Sequence, residues 1–272
     1  MRTLWKGAIT FGLVYIPVKL YVATEDKDLK FHYLHEPCKT PVQYRKFCPT
    51  CQRQVDREEI VWGYEYTKGQ YVVLREEDFH RIPVPTAKVV DLLDFVDLAE
   101  IDPIYFDKTY FLEPAEGGLK AYALLRRTME ETGRIAIAKV AIRTRESLAA
   151  IRVYQDRVLV MNTMFWPDEI RDWAELDGFG PEPVPAESEM KMARTLVETL
   201  AGHFDPGKYT DEYRRALLEV IHAKVEGREV FAAREPETGR VMDLMEALRA
   251  SVRLAEEQRR GGQPSAGGAG HG

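Results

Sequence analysis

Five soft donors lie within twenty residues of one another: His32, His35, Cys38, Cys48 and Cys51. The spacing His35-x2-Cys38-x9-Cys48-x2-Cys51 presents four of them as two close pairs. A pair separated by two residues can grip an ion from one tight turn. The loop between the pairs lets them converge on the tetrahedron that zinc takes in structural sites. Pro49 suits such a turn. His32 competes with His35 for the fourth position. Two readings stand side by side: a structural zinc on His35, Cys38, Cys48 and Cys51, or a β-hairpin that keeps this shape with unmetallated thiols. A thioredoxin-like role requires a βαβ context after the Cys-x-x-Cys pair, and Gln52-Arg-Gln-Val-Asp-Arg57 does not supply one. A catalytic zinc needs a general base beside an open position, and Glu36 alone is thin support.

Other chemistry is sparse. The chain has neither a phosphate-cradling Gly-rich Lys loop nor a dinucleotide fingerprint, and no Gly-x-Ser-x-Gly elbow. Glu76-Glu77-Asp78 and Glu130-Glu131 read as solvated faces. His80, His203 and His222 stand apart from one another. Asp168-Glu169 lacks the third partner a metal nuclease needs. The residues make no positive case for an enzyme.

The elements that must position the donors are mostly strands. Residues 1–21 read as one opening strand, with Gly7 and Gly12 where it bends or where another backbone comes close, and Pro17 marking a sheet edge or strand end. Ile60–Tyr66 and Gln70–Arg75 are split by Lys68-Gly69, a hairpin turn. Lys88–Val96, Ile104–Leu112, Ile135–Arg143, Leu148–Tyr154 and Arg157–Phe165 continue the pattern. One helix interrupts them at Gly118–Thr132, with Tyr122, Leu125 and Met129 on one stripe. So many strands at short intervals imply a barrel or sandwich. After the loop Gly178–Pro185 come helices at Glu187–Phe204, Asp211–Glu226 and Val241–Arg259. The first carries the seam Met190, Ala193, Val197 and Leu200, and the second follows Thr210 as N-cap. The divisions expected are 1–185, 186–259 and a disordered Gly-rich tail at 260–272.

The chain has 272 residues and a net charge of −6, and is 45% hydrophobic. That is ample for a core. No apolar run reaches a membrane span, and nothing resembles a cleaved export signal, so a reducing cytoplasm is the expected setting. An acidic total works against nucleic-acid binding, but local potential decides that interaction. Residues 1–55 hold nine Lys/Arg against four Asp/Glu. A second basic cluster comprises Arg134, Lys139, Arg143, Arg145, Arg152 and Arg157.

Several segments resemble the bacterial Ku family: Leu4-Trp-Lys-Gly7, Phe11-Gly-Leu-Val14, Ile16-Pro-Val-Lys-Leu-Tyr21, Asp107-Lys-Thr-Tyr-Phe-Leu-Glu-Pro114 and Trp166-Pro-Asp-Glu-Ile-Arg171. Tyr213-Arg-Arg-Ala-Leu-Leu218 and Asp243-Leu-Met-Glu-Ala-Leu248 extend the likeness towards the C-terminus. The resemblance implies an α+β, mainly β fold, with a barrel core and a helical C-terminal region. It also implies a homodimeric ring that threads double-stranded DNA ends in non-homologous end joining and recruits an ATP-dependent multidomain DNA ligase. No catalytic group is expected of the chain. Lys6, Lys30, Arg45, Lys46, Lys68, Arg143 and Arg145 are the candidates for phosphate contact, and Leu244, Leu248 and Val252 for the partner-binding face. Two competing classes remain. One is an enzyme that processes DNA ends, either zinc-dependent or a lysine-based abasic-site lyase. The other is a zinc-ribbon protein-interaction module without a DNA role.

Overall fold

The computed structural model describes residues 1–82, 88–142, 145–180, 183–227 and 243–261. They form two compact units, Met1–Glu175 and Leu176–Gly272. The opening run is two strands, not one: β1 (Trp5–Phe11) and β2 (Val14–Val22), reversed at Gly12, whose φ of 57° favours glycine. Four short strands follow, β3 (Phe47–Cys48), β4 (Arg53–Gln54), β5 (Trp62–Thr67) and β6 (Gln70–Leu74), then the one-turn helix α1 (Glu76–His80). Next come β7 (Val89–Asp97), β8 (Phe106–Pro114), helix α2 (Leu119–Thr132), β9 (Arg134–Ile142), β10 (Arg145–Tyr154) and β11 (Val158–Met164).

Seven strands close a barrel in the order β1-β2-β8-β11-β10-β9-β7. All neighbours are antiparallel except β7 and β1, which pair in parallel through Ala8↔Val89 and Ile9↔Val90. Closure removes the edges that an open sheet would expose. It also corrects the reading of Pro17, which lies mid-strand in β2. The ladder to β8 begins one residue later, at Val18↔Pro114, so Pro17 lies where β2 has no β8 residue to donate to.

Alternation sends Ile9, Ile16, Val18, Leu20, Val140, Ile151, Leu159 and Met161 into the interior. Ala136, Ala138 and Ala149 also face inward, and these small residues leave room for the helix that plugs one end. That helix is α2, which buries Tyr122, Leu125 and Met129 as its periodicity requires. It stops at Gly133 in the left-handed conformation, φ 67°. The Tyr122 hydroxyl donates to the Leu112 carbonyl at 2.7 Å and accepts from the Leu159 amide at 2.7 Å. Leu112 and Leu159 face each other across β8 and β11, so the hydroxyl bridges two register partners.

The second unit holds α3 (Glu187–Leu200), α4 (Glu212–Val225) and α5 (Leu244–Gly261). Asp211, not Thr210, caps α4, accepting the Arg214 amide at 2.8 Å. Helix α5 packs on α3. The expected α3 seam is replaced by a neighbouring stripe: Met192, Ala193 and Leu196 are half-buried, whereas Met190, Val197 and Leu200 stay exposed. The helix carries two overlapping apolar stripes and α5 covers one. Among the described residues no helix is long and apolar enough to cross a membrane. The expected start of α5 at Val241 and the tail from 262 onward lie outside the described residues, as does Arg143.

Candidate nucleic-acid interface

Between β2 and β7 the chain leaves the barrel for an insertion of small hairpins. The first spans residues 33–42: Val42 donates to the Tyr33 carbonyl at 2.9 Å, His35 donates to Thr40 at 2.9 Å, and Leu34 bridges Pro41. Its tip is the turn from His35 to Lys39, closed by the Lys39 amide on the His35 carbonyl at 2.7 Å, with Lys39 at φ 54°. The second spans residues 46–55, with Val55 donating to Lys46 at 3.0 Å and Cys48 facing Arg53. Its tip, Cys48-Pro-Thr-Cys51, ends on Gln52 at φ 48°. The two hairpins therefore repeat one device: a donor pair in a tight turn, followed by a left-handed residue.

Within each turn the donors are neighbours. His35 Nδ1 lies 3.1 Å from Cys38 Sγ. Hydrogen bonds from the Cys51 backbone and thiol lower the pKa of Cys48, and the same pairing raises that of Cys51. The Thr40 hydroxyl lowers that of Cys38. The donor chemistry suits zinc, but the two pairs stay apart. Among the described residues no three His, Cys, Asp or Glu side chains stand close enough to hold a metal. Arg53 straps the second hairpin to Glu59, bonding one carboxylate oxygen at 2.9 Å and holding the carboxyl at about 2.

A third hairpin pairs β5 with β6 around Gly69 at φ 81°. Trp62, Tyr64 and Tyr66 line one of its faces and Tyr71 and Val73 the other, and all five are exposed. Among the described residues from 23 to 82 none is buried.

The expected basic residues divide between barrel and insertion. Lys30, Arg45, Lys46 and Lys68 lie in the insertion, all exposed, with Arg45 donating to Gln54 Oε1 at 3.1 Å. Lys6 is exposed on β1. Arg145, at the start of β10, is ion-paired to Glu169. Further cations lie on barrel strands. Lys19 faces Lys6 across the hairpin, Lys139 lies 5.7 Å from the Trp166 ring, and Arg152 lies 5.6 Å from the Tyr154 ring. Lys139 and Arg152 belong to the basic cluster of the sequence. Lys19 is not among the expected phosphate contacts, and pairing residues 5–22 about Gly12-Leu13 brings it opposite Lys6. Of the expected partner face, Leu244 is exposed, while Leu248 and Val252 are half-buried on the α5 face that carries buried Ala255.

The family model for the Ku70/Ku80 beta-barrel domain matches residues 10–193. A protein of Symbiobacterium thermophilum named Non-homologous end joining protein Ku is 57% identical over 260 residues. That alignment covers 95% of this chain but 64% of the relative, so the chain spans just under two thirds of that relative's length. A protein of the same name from Heliobacterium modesticaldum is 47% identical, covering 96% of this chain and 94% of its own. One from Bacillus subtilis is 45% identical, covering 93% and 82%. A closed seven-stranded barrel, a barrel-domain match over most of the chain and a relative aligned nearly end to end have one meaning: the chain belongs to the Ku family.

Proposed function

We propose that two copies of this chain close around duplex DNA at a broken end, holding it without regard to sequence. The observation that carries this reading is the bare insertion. A lone two-stranded hairpin is marginal in water. Yet β5–β6 exposes Trp62 by 59%, Tyr64 by 65% and Tyr71 by 61%. Apolar surface of this extent marks a binding surface. A second copy covers it, and the enclosed duplex meets the lysines and arginines. The 14-residue α4 makes a similar demand, since an isolated helix of this length is marginal in water. Contacts to sugar-phosphate carry affinity without sequence information, and a closed loop selects ends because only an end can enter it. The chain supplies no catalytic step in this reading.

The test compares linear duplexes of unrelated sequence with a covalently closed circle. Linear DNA of either sequence should bind alike, with affinity falling steeply as salt rises. Equal affinity for the circle refutes threading. Sedimentation at low micromolar concentration should give twice the 31.2 kDa chain mass, and a stable monomer refutes the ring.

Ligase recruitment belongs to the C-terminal helices in this reading. The support is Leu244, exposed at the start of α5. A chain ending at Gly227 should bind DNA ends and lose stimulation of its ligase. The paired turns further support a structural zinc on His35, Cys38, Cys48 and Cys51, which would have to draw the two hairpins together.

A further inference from the structure

The β1–β2 hairpin sets Lys6 directly opposite Lys19. Facing side chains in an antiparallel pair have Cβ atoms roughly 4.5–5.5 Å apart, and like charges there destabilise the sheet. The other pairs in this ladder are uncharged: Trp5↔Leu20, Gly7↔Val18, Ala8↔Pro17, Ile9↔Ile16, Thr10↔Tyr15 and Phe11↔Val14. The protein offsets this repulsion on the Lys19 side alone. Lys6 is exposed and has no ion pair among the described residues. On its other side Lys19 faces its register partner Glu113 on β8, whose Oε2 lies 3.7 Å from the Lys19 Nζ and also accepts the Tyr21 hydroxyl. The backbone of a third lysine also runs beside β1. Lys88 precedes β7 at φ 61°, its carbonyl taking the Ala8 amide at 3.1 Å.

We infer that Lys6 and Lys19 together form a seat for the phosphodiester backbone on the outer face of the β1–β2 hairpin. The inference rests on the proposed binding of duplex DNA and names where on the barrel one strand is held. Two ammonium groups on flexible stems suit phosphate oxygens as point charges and make no demand on the base. The bound phosphates supply the negative charge that the ladder lacks, and duplex binding relieves the repulsion that the free protein carries.

The seat separates stability from binding. Lys6→Gln/Lys19→Gln removes two phosphate contacts, so the slope of log affinity against log salt should fall by about 1.8 for duplex DNA. That difference weakens binding by ~60-fold at about 0.1 M salt relative to 1 M, where the two proteins converge. The melting temperature should hold or rise. Lys6→Glu turns a repulsive pair into an attractive one, so it should melt higher while binding linear DNA more weakly. A side chain that merely supports the barrel would move both readouts in the same direction. As a control, Lys120→Gln/Arg127→Gln removes equal charge from α2 and should leave the slope unchanged. If both double variants shift the slope equally, the effect is general charge and the seat is refuted. If wild type binds linear DNA with a steep salt slope that Lys6→Gln/Lys19→Gln leaves intact, the seat is refuted and end binding stands. Wild type without salt-dependent duplex affinity refutes both.

Discussion

Replacing Tyr122 by Phe isolates the two bonds that tie α2 to the barrel. The ring is 5% exposed, and its hydroxyl makes two bonds of 2.7 Å, one to the Leu112 carbonyl and one from the Leu159 amide. Burial pushes the pKa of this phenol up, so it stays a neutral donor and acceptor across the working range. Phe keeps the apolar contacts with the barrel core. The loss is therefore that of two buried hydrogen bonds, leaving one amide and one carbonyl without partners. Each orphaned group costs about 1–3 kcal/mol, and partial closing of β8 on β11 recovers some of that. The net expectation is a destabilisation of about 2–4 kcal/mol. At roughly 2–4 °C per kcal/mol for a domain of this size, the melting temperature should fall on the order of 10 °C. Urea unfolding monitored by tryptophan fluorescence measures it, and the m-value should be unchanged because the same surface is exposed. DNA affinity of the folded variant should match wild type. A loss below about 0.5 kcal/mol would mean that Leu112 and Leu159 re-form their own ladder bond, and that the hydroxyl bridges nothing that matters.

Gly7→Ala should also destabilise the barrel, because a Cβ there would lie 2.1 Å from the Trp5 ring and 2.3 Å from the Lys88 carbonyl. The cost is about 1–3 kcal/mol or more, read from the same urea transition, since a backbone carbonyl yields less than a side chain. The Arg53–Glu59 bond depresses the pKa of Glu59 to about 2. Its support for the second hairpin is thus complete above the ordinary carboxylate value of 4.5 and lost as pH falls towards 2. Carbon-detected NMR titration of Glu59 checks this, and a midpoint near 4.5 contradicts it. Protein purified without added metal should carry about one zinc per chain if the two turns close on an ion. In that case Cys48→Ser should lower the melting temperature more than DNA affinity, whereas a folded, metal-free native protein favours the hairpin with free thiols.

Local periodicity made most of the barrel legible before any contact was known. Alternation marks β7 to β11 within about three residues, and the stripe Tyr122, Leu125 and Met129 marks the buried face of α2. These features are written in neighbouring residues, because strand and helix repeats follow from backbone geometry. Soft donors in pairs likewise announce two tight turns, and both form with a left-handed residue after the second donor. What the sequence left open depends on distant pairing. Residues 1–21 read as one strand because Gly12 is a bend or a reversal according to what lies beside it. The reversal alone sets Lys19 against Lys6. Pro17 reads as an edge residue until closure of the sheet shows which neighbour its missing amide would have served. The α3 seam could fall on either of two overlapping stripes, and the approach of α5 selects Met192, Ala193 and Leu196. Whether two donor pairs share one ion is a matter of the angle between hairpins, which residue spacing does not encode. Sequence determines which face an element has to bury; the tertiary structure decides what it meets there, because burial is settled between elements rather than within them.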